Sequence, residues 1–417
     1  MGSKLIFPFY IGRRLSLGND GSKSAPAVKV AIVAVALSIA VMLASIAIVG
    51  GFKREIRQKV VGFNSHLTIY ADENALNETE QPLVKLTPSL SKILDELPFV
   101  TSYSLTLSTP SLLKTDNDFK GIYFKGMEYP ETSFITECLE EGSSSGLPQD
   151  SGYYMVVSRK AANELNLKLN DRVDTYFISD NIKARPLHIR GIYNSHFDAY
   201  DDLLAYGSLT LVQSLSGIGT EEGSAIQIMT DDFYRIDEYE SLLKQRLDIA
   251  LINSEIYRPY RVESIYRQGA GYFQWLSLLD TNVLVVLILM GIVACVTLIS
   301  GILILILDKV SFIGTLKALG ASNAIIRRIF IYLAMKVALL GVCIGNVIMI
   351  ALLWLQHKYR LIPLDPENYY IDFVPVHLAW IDFAILNAIV LLIIFVTLLV
   401  PARFVATISP STSIRYE

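Results

Sequence analysis

The stretch Asp308–Arg328, DKVSFIGTLKALGASNAIIRR, joins two long apolar runs of the chain. Within it, Ile313, Leu316 and Leu319 recur at intervals of three, which predicts a short helix with an apolar ridge. Gly314 and Gly320 permit close approach of another backbone, or a turn. The stretch therefore indicates a helical connector that inserts its ridge into a groove on a partner, although a basic loop with incidental glycines explains the spacing equally well.

The runs that flank this connector belong to a set of four. The chain is 52% apolar and 18% charged, with a mean hydropathy of +0.42, too apolar for an ordinary soluble protein. Each run contains at least 20 residues without a charge, enough to cross a hydrocarbon core of about 30 Å. The four runs are Val30–Phe52, Thr281–Leu307, Val337–Gln356 and Phe383–Ala402.

The distribution of Lys and Arg predicts how the runs are oriented. Five basic residues precede the first run, and the connector carries four against the lone Asp308. The loop after the third run has only Lys358 and Arg360 beside four acidic residues. The positive-inside bias therefore predicts that both termini and the connector are cytoplasmic. Residues 53–280, with 33 acidic and 22 basic side chains, are then external.

These observations predict an α-helical membrane protein with four transmembrane helices and a large extracytoplasmic α+β domain between spans 1 and 2. The predicted segments are a cytoplasmic or interfacial segment (1–29), span 1 (30–52), the external domain (53–280), span 2 (281–307), the coupling connector (308–328), span 3 (329–356), an external loop (357–382), span 4 (383–402) and a cytoplasmic tail (403–417).

The external domain alternates strand-like and helix-like patterns. Pro88–Leu97 is predicted to be a helix capped by Thr87. Asp171–Phe177 and Leu187–Tyr193 are predicted to form a hairpin with its tip at Ser179–Pro186. A helix starting near Ser264 is predicted to run without a break into span 2 and to transmit motion into the bilayer.

Two runs carry small residues at a spacing that favours close helix packing. Ala36, Ala40 and Ala44 follow one another at intervals of four in span 1, and Gly341 and Gly345 do so in span 3. Packing within the chain and packing against a second copy of the chain both remain open.

Enzyme signatures are absent from the sequence. No stretch matches the phosphate-binding loop G-x-x-x-x-G-K-[ST], and the five histidines are scattered. No cluster has metal-ligand spacing, so no metal, cofactor or catalytic residue is predicted. A non-catalytic membrane subunit is the expectation.

Six stretches spread along the chain carry a resemblance to a known family; they are Phe9–Leu15, Asp280–Val283, Ser300–Leu305, Phe312–Ala321, Leu361–Pro366 and Ile408–Pro410. They resemble the lipoprotein-releasing permease family (LolC/LolE type), within the FtsX/MacB-like permease superfamily. The resemblance covers essentially the whole chain, although Phe312 stands where many members carry an acidic residue.

This resemblance implies an ABC transporter permease of the bacterial inner membrane, with a MacB-like periplasmic core. A dimer of separate cytoplasmic ATPases would bind ATP and Mg²⁺, and a second permease copy or paralogue would complete the complex. Acylated lipoproteins would pass to a periplasmic carrier, with no role for nucleic acid. The alternatives are a MacB-like mechanotransmission transporter of another periplasmic substrate and an FtsX-like regulator of a cell-wall hydrolase. The implied ATPase-coupling residues are Ile313, Gly314, Leu316, Lys317, Leu319, Gly320 and Ala321.

Two further sets of residues are candidates for handling the cargo. An apolar path for acyl chains is predicted along spans 1 and 2, although ordinary lipid-facing residues explain each member as well. The resemblance also implies that the hairpin docks the carrier, although its tip is short and a plain β-turn is the alternative. The path residues are Met42, Ile46, Val49, Leu284, Leu287 and Met290, and the docking residues are Lys183, Arg185 and Pro186.

Overall fold

A computed structural model describes residues 25–72, 83–116, 118–128, 134–142, 152–178 and 182–404. The predicted interfacial segment before residue 25, most of the predicted cytoplasmic tail and residues 179–181 of the predicted hairpin tip lie outside these ranges. The described chain forms two compact units. Unit 1 comprises the residues up to Arg54, Leu276–Pro363 and the residues from Phe373 onward; unit 2 comprises Glu55–Trp275 and Leu364–Asp372.

The helices and strands are numbered in chain order over the described residues. The helices are α1 (Ala25–Asn64), α2 (Pro88–Asp95), α3 (Phe134–Glu137), α4 (Arg159–Glu164), α5 (Asp198–Asp201), α6 (Leu209–Ser216), α7 (Ile236–Ile252), α8 (Ile265–Gln268), α9 (Ala270–Asp308), α10 (Val310–Ala318), α11 (Asn323–Tyr359), α12 (Pro366–Tyr369) and α13 (Trp380–Phe404). The strands are β1 (Leu67–Ala71), β2 (Val84–Lys85), β3 (Val100–Lys114), β4 (Phe119–Met127), β5 (Leu139–Gly142), β6 (Tyr154–Ser158), β7 (Arg172–Ile178), β8 (Ile182–Tyr193), β9 (Leu204–Ser208), β10 (Glu222–Gly223), β11 (Ala225–Thr230) and β12 (Tyr260–Ser264).

Four of the described helices, α1, α9, α11 and α13, are long and apolar enough to cross a membrane. Each contains one of the four uncharged runs of the sequence. In unit 1 their side chains share one apolar core, whose members include Val35, Leu43, Leu298 and Ala338. The outward faces of α9 and α13 remain exposed and apolar, as expected of helices solvated by lipid.

The small residues of α11 lie against α1. A Cβ atom on Gly345 would stand 2.5 Å from the backbone oxygen of Ala36, and one on Gly341 would stand 2.8 Å from the Val35 side chain. Only glycine permits this approach of two helix backbones. The glycine pair therefore serves packing within the chain, one of the two alternatives left open by the sequence.

Unit 2 is built on a largely antiparallel sheet in the order β12-β1-β11-β3-β4-β9-β6-β8-β5. Strand β7 pairs with both β3 and β8, and the pairs β4/β9 and β6/β8 are parallel. Helices α2, α4, α6 and α7 pack beside the strands, with buried side chains such as Leu90, Ala162, Val212 and Leu243. The unit is α+β in class.

The capped helix of the sequence is present, because the Leu90 N–H donates to Thr87 Oγ1 over 3.2 Å. Two predictions of detail were wrong. Strand β8 already begins at Ile182, where it pairs with Ile178, so 182–186 is strand and not hairpin tip. The helix predicted from Ser264 is interrupted, because α8 ends at Gln268 and α9 begins at Ala270; from there α9 continues without a break into span 2.

Candidate functional site

The connector forms a helix followed by a glycine turn. Helix α10 ends at Ala318, and Gly320 adopts a left-handed conformation with φ of 89°. The turn is closed by two hydrogen bonds, from the Gly320 N–H to the Lys317 carbonyl (3.0 Å) and from the Ala321 N–H to the Leu316 carbonyl (2.9 Å). This arrangement is the usual way in which glycine terminates a helix, and it leads directly into α11.

Burial divides the predicted apolar ridge into two parts. Ile313 is 0% exposed and Leu316 is 8% exposed, and both belong to the apolar core of unit 1. Leu319, in contrast, is 79% exposed. The ridge splits because Leu319 lies beyond the last residue of α10 and no longer follows the helical periodicity. Ile313 and Leu316 therefore hold the connector on its own unit, whereas Leu319 is free to contact a partner.

The other connector residues divide into a buried or half-buried set and an exposed set. Gly314 is buried, and Lys317 and Ala321 are half-buried. The outward surface comprises small or polar residues around Leu319, followed by two exposed guanidinium groups on the first turns of α11. We refer to this set as the coupling surface; its members are Ser311, Thr315, Ala318, Leu319, Gly320, Arg327 and Arg328.

The residues of the predicted acyl path do not form one continuous exposed strip. Met42 is 3% exposed and belongs to the apolar core of unit 1. Ile46, Leu287 and Met290 pack against that core. Leu284 is 56% exposed, and Val49 is half-buried. The structure thus places four of the six side chains in helix packing and leaves Leu284 on the surface.

The predicted docking residues lie on strand β8. The Lys183 ammonium donates to the Leu215 carbonyl, whereas Arg185 is exposed and its guanidinium donates to the neighbouring Ala184 carbonyl. Pro186 is half-buried. A shallow cavity of about 430 Å³ is lined by Gly152, Tyr153, Tyr154, Arg185, Pro186, His188 and Arg190. The cationic residues around this cavity make it suited to an acidic partner.

Sequence reasoning missed a polar cluster around the end of α1. The Lys125 ammonium donates to the Phe63 carbonyl over 2.8 Å, which places a cation at the carboxyl end of the helix, where it is favourable. Lys125 is 8% exposed, and burial lowers its pKa to about 8. Ile122 and Phe124 are the buried apolar residues that alternate along this strand, and no pattern in the sequence indicates that the adjacent Lys125 is buried too.

A second missed group is a buried carboxylate next to the same helix end. Asp201 accepts hydrogen bonds from the Ser195 hydroxyl (2.6 Å) and from the Ser195 N–H (3.2 Å). Burial raises the pKa of the Asp201 carboxyl, and these hydrogen bonds oppose that rise. The Ser195 hydroxyl in turn accepts from the Phe197 N–H, so the turn 194–201 is fixed by its own contacts.

Two protein families match separate parts of this chain. Residues 30–246 match the MacB-like periplasmic core domain, and residues 282–410 match the FtsX-like permease C-terminal family. The first match alone covers more than half of the chain. The chain therefore belongs to the family defined by the MacB-like periplasmic core domain, and its C-terminal part is similar to the FtsX-like permeases.

Two similar proteins align with more than nine-tenths of this chain. The chain is 24% identical to the lipoprotein-releasing system transmembrane protein LolE of Haemophilus influenzae, over 97% of this chain and 98% of that protein. It is 22% identical to LolC of Xylella fastidiosa strain Temecula1, over 93% of each. The periplasmic region of MacB from Actinobacillus actinomycetemcomitans aligns with 51% of this chain and 95% of its own, at 14% identity and a TM-score of 0.35.

Proposed function

We propose that this chain is the permease subunit of an ABC transporter that releases lipoproteins from the inner membrane to a periplasmic carrier. The observation that carries the proposal is the similarity to LolE, which extends over 97% of this chain and 98% of that protein. A match of that extent includes both units and the connector. The chain itself would be non-catalytic, and a separate ATPase would bind ATP and Mg²⁺.

The exposed apolar side chain and the positive charge of the coupling surface support this proposal. An apolar side chain that is 79% exposed beside a rigid glycine turn is suited to a groove on a partner protein. Arg327 and Arg328 add positive charge to the same surface. In the proposed mechanism, closure of an ATPase dimer pushes on Leu319, and the buried Ile313 and Leu316 pass that displacement to the helices of unit 1.

Energy input is required because of the nature of the cargo. Each CH₂ group of an acyl chain contributes about 0.8 kcal/mol when buried in a bilayer, so a multiply acylated protein does not leave spontaneously on a useful timescale. We propose that the exposed face of α9, which includes Leu284, forms one side of an apolar path. A second permease copy or a paralogue would supply the other side.

The orientation follows the charge distribution. Both termini and the coupling surface would be cytoplasmic, and unit 2 would form the periplasmic domain between spans 1 and 2. The cationic cavity beside Arg185 would then face the periplasm, where an acidic surface of the carrier would dock. The chain would be a multi-pass protein of the bacterial inner membrane.

The decisive experiment is mass spectrometry of proteins that co-purify with this chain from native membranes in mild detergent. An ATPase together with acylated lipoproteins is the expected result. An ATPase with a cell-wall hydrolase would instead identify an FtsX-like regulator. An ATPase with neither would favour a MacB-like transporter of another periplasmic substrate, which the match over 30–246 favours as the second candidate.

A further inference from the structure

Four segments that are distant in sequence meet around one aromatic ring in unit 2. Phe197 is completely buried, with its ring centroid 4.9 Å from that of Tyr272 and 4.9 Å from that of Tyr370. The Phe63 and Tyr200 rings stack on it at 6.2 and 5.3 Å. The segments are the end of α1, the turn 194–201, the start of α9 and residues 364–372.

One lysine joins two of these segments through their backbones. The Lys59 ammonium, on α1, donates to the Ser195 carbonyl over 2.6 Å and to the Tyr370 carbonyl over 2.8 Å. The carboxylates of Glu55, Asp372 and Asp201 attract this cation. Hydrogen bonds from a charged donor are stronger than those between neutral groups. A single cation thus holds residue 370 to the turn at residue 195.

Two of the seven side-chain-bearing residues with positive φ in the described ranges lie at this junction. Tyr370 has φ of 60° and His196, next to Ser195, has φ of 53°, both left-handed conformations that side-chain-bearing residues rarely adopt. Such conformations persist only where the surroundings impose them, and they are frequent in segments that switch. Tyr370 directly follows α12, and its N–H donates to the Pro366 carbonyl over 2.9 Å. The His196 N–H donates to Asn194 Oδ1 over 3.2 Å. The Lys59 hydrogen bonds to the carbonyls of residues 195 and 370 hold these two positions together.

Residues 364–372 are connected to the coupling surface through α11. These residues follow α11, a continuous helix from Asn323 to Tyr359 that begins three residues after Gly320 of the coupling surface. A displacement at the coupling surface therefore has a second covalent route into unit 2, besides α9, which joins the connector at Asp308 and begins in unit 2. The turn 194–201 is rigid, because Asp201 fixes Ser195.

We propose that Lys59 and Tyr370 form a latch that transmits the motion of α11 to the periplasmic domain, with Lys59 as a positioning residue. The latch rests on the proposed function, since it couples ATP hydrolysis to cargo release. Opening of the two Lys59 hydrogen bonds would free residues 364–372 from the turn 194–201. While these hydrogen bonds hold, a displacement of α11 passes through residues 364–372 to the turn 194–201 and the sheet of unit 2. Once they open, the segment moves with α11 and the sheet stays in place.

The first test is Lys59→Met in the complete transporter in nanodiscs, with the number of lipoproteins released per ATP hydrolysed as the readout. This ratio is expected to fall about tenfold or more, because both charge-assisted hydrogen bonds are lost. Lys59→Arg keeps a cation with several donors and is expected to restore most of the ratio. The matched control is Lys53→Met on the same helix, whose exposed ion pair with Asp280 contributes little. A ratio that is unchanged in Lys59→Met overturns the latch.

A second measurement applies even if that variant does not fold. Amide hydrogen exchange of the wild-type complex, nucleotide-free and ATP-bound, reports local opening in each segment. The latch predicts that residues 364–372 and 194–201 change protection together. Independent responses, or none, would refute it. A wild-type complex that hydrolyses ATP and shows the paired change but releases no lipoprotein would retain the latch and reject the proposed cargo.

Discussion

Replacement of Leu319 by Ala tests where force enters the permease. The substitution deletes about three carbons, each worth about 0.8 kcal/mol when buried. Since Leu319 is 79% exposed, most of this contribution is available only to a partner. The expected loss is about 1.9 kcal/mol, or about 20-fold in the Kd for the ATPase. Titration of the purified ATPase onto the permease in nanodiscs, followed by ATPase activity, measures it.

Two control variants make this prediction specific. Leu361→Ala removes the same atoms from a residue that is 58% exposed and lies just beyond the far end of α11, and it is expected to leave the Kd unchanged. Ile313→Ala opens a cavity at a fully buried position and is expected to cost about 2–5 kcal/mol of permease stability. If Leu319→Ala binds the ATPase as tightly as the wild type, the coupling surface is wrongly assigned.

Three further predictions concern stability, helix packing and docking. Between pH 8 and its ordinary pKa of 10.5, Lys125 is more protonated in the unfolded chain, so its contribution to the free energy of unfolding rises with pH by roughly 3 kcal/mol. In denaturant melts, the difference in stability between the wild type and Lys125→Met should change by that amount across this window. Gly345→Leu should abolish the monodisperse permease peak in gel filtration, because its Cβ has no room against α1, whereas Gly271→Ala points into open space and should elute normally. Arg185→Glu should weaken carrier binding in a pull-down, whereas Glu at the equally exposed Lys114 should not; equal binding by both variants would remove β8 from the docking surface.

The helices of unit 1 were predictable because each depends only on the chemistry of its own residues. An uninterrupted run such as Phe383–Ala402 is a helix whatever its neighbours, since a lipid environment leaves the backbone no other hydrogen-bonding partner. The Thr87 cap was predictable for the same reason, because its acceptor and donor are three residues apart. The turn at Gly320 also needed only a glycine after a short helix.

The site itself was predictable only in outline. Spacing located the connector but could not separate Leu319 from Ile313 and Leu316, because that division depends on where α10 ends and on what α11 covers. The hairpin was expected, yet its second strand is longer than the pattern indicated, since pairing with β7 extends it to Ile182. In both cases the missing information is a contact with a distant segment.

The sequence by itself determined four apolar helices, a basic connector and an α+β domain, since composition and periodicity act over a few turns of chain. Only the tertiary structure decided that Lys125 caps α1, that Gly345 packs on Ala36, and that Lys59 joins residues 195 and 370. These contacts link residues from 62 to more than 300 positions apart. Their partners are chosen by sheet register and helix packing, which no local pattern encodes.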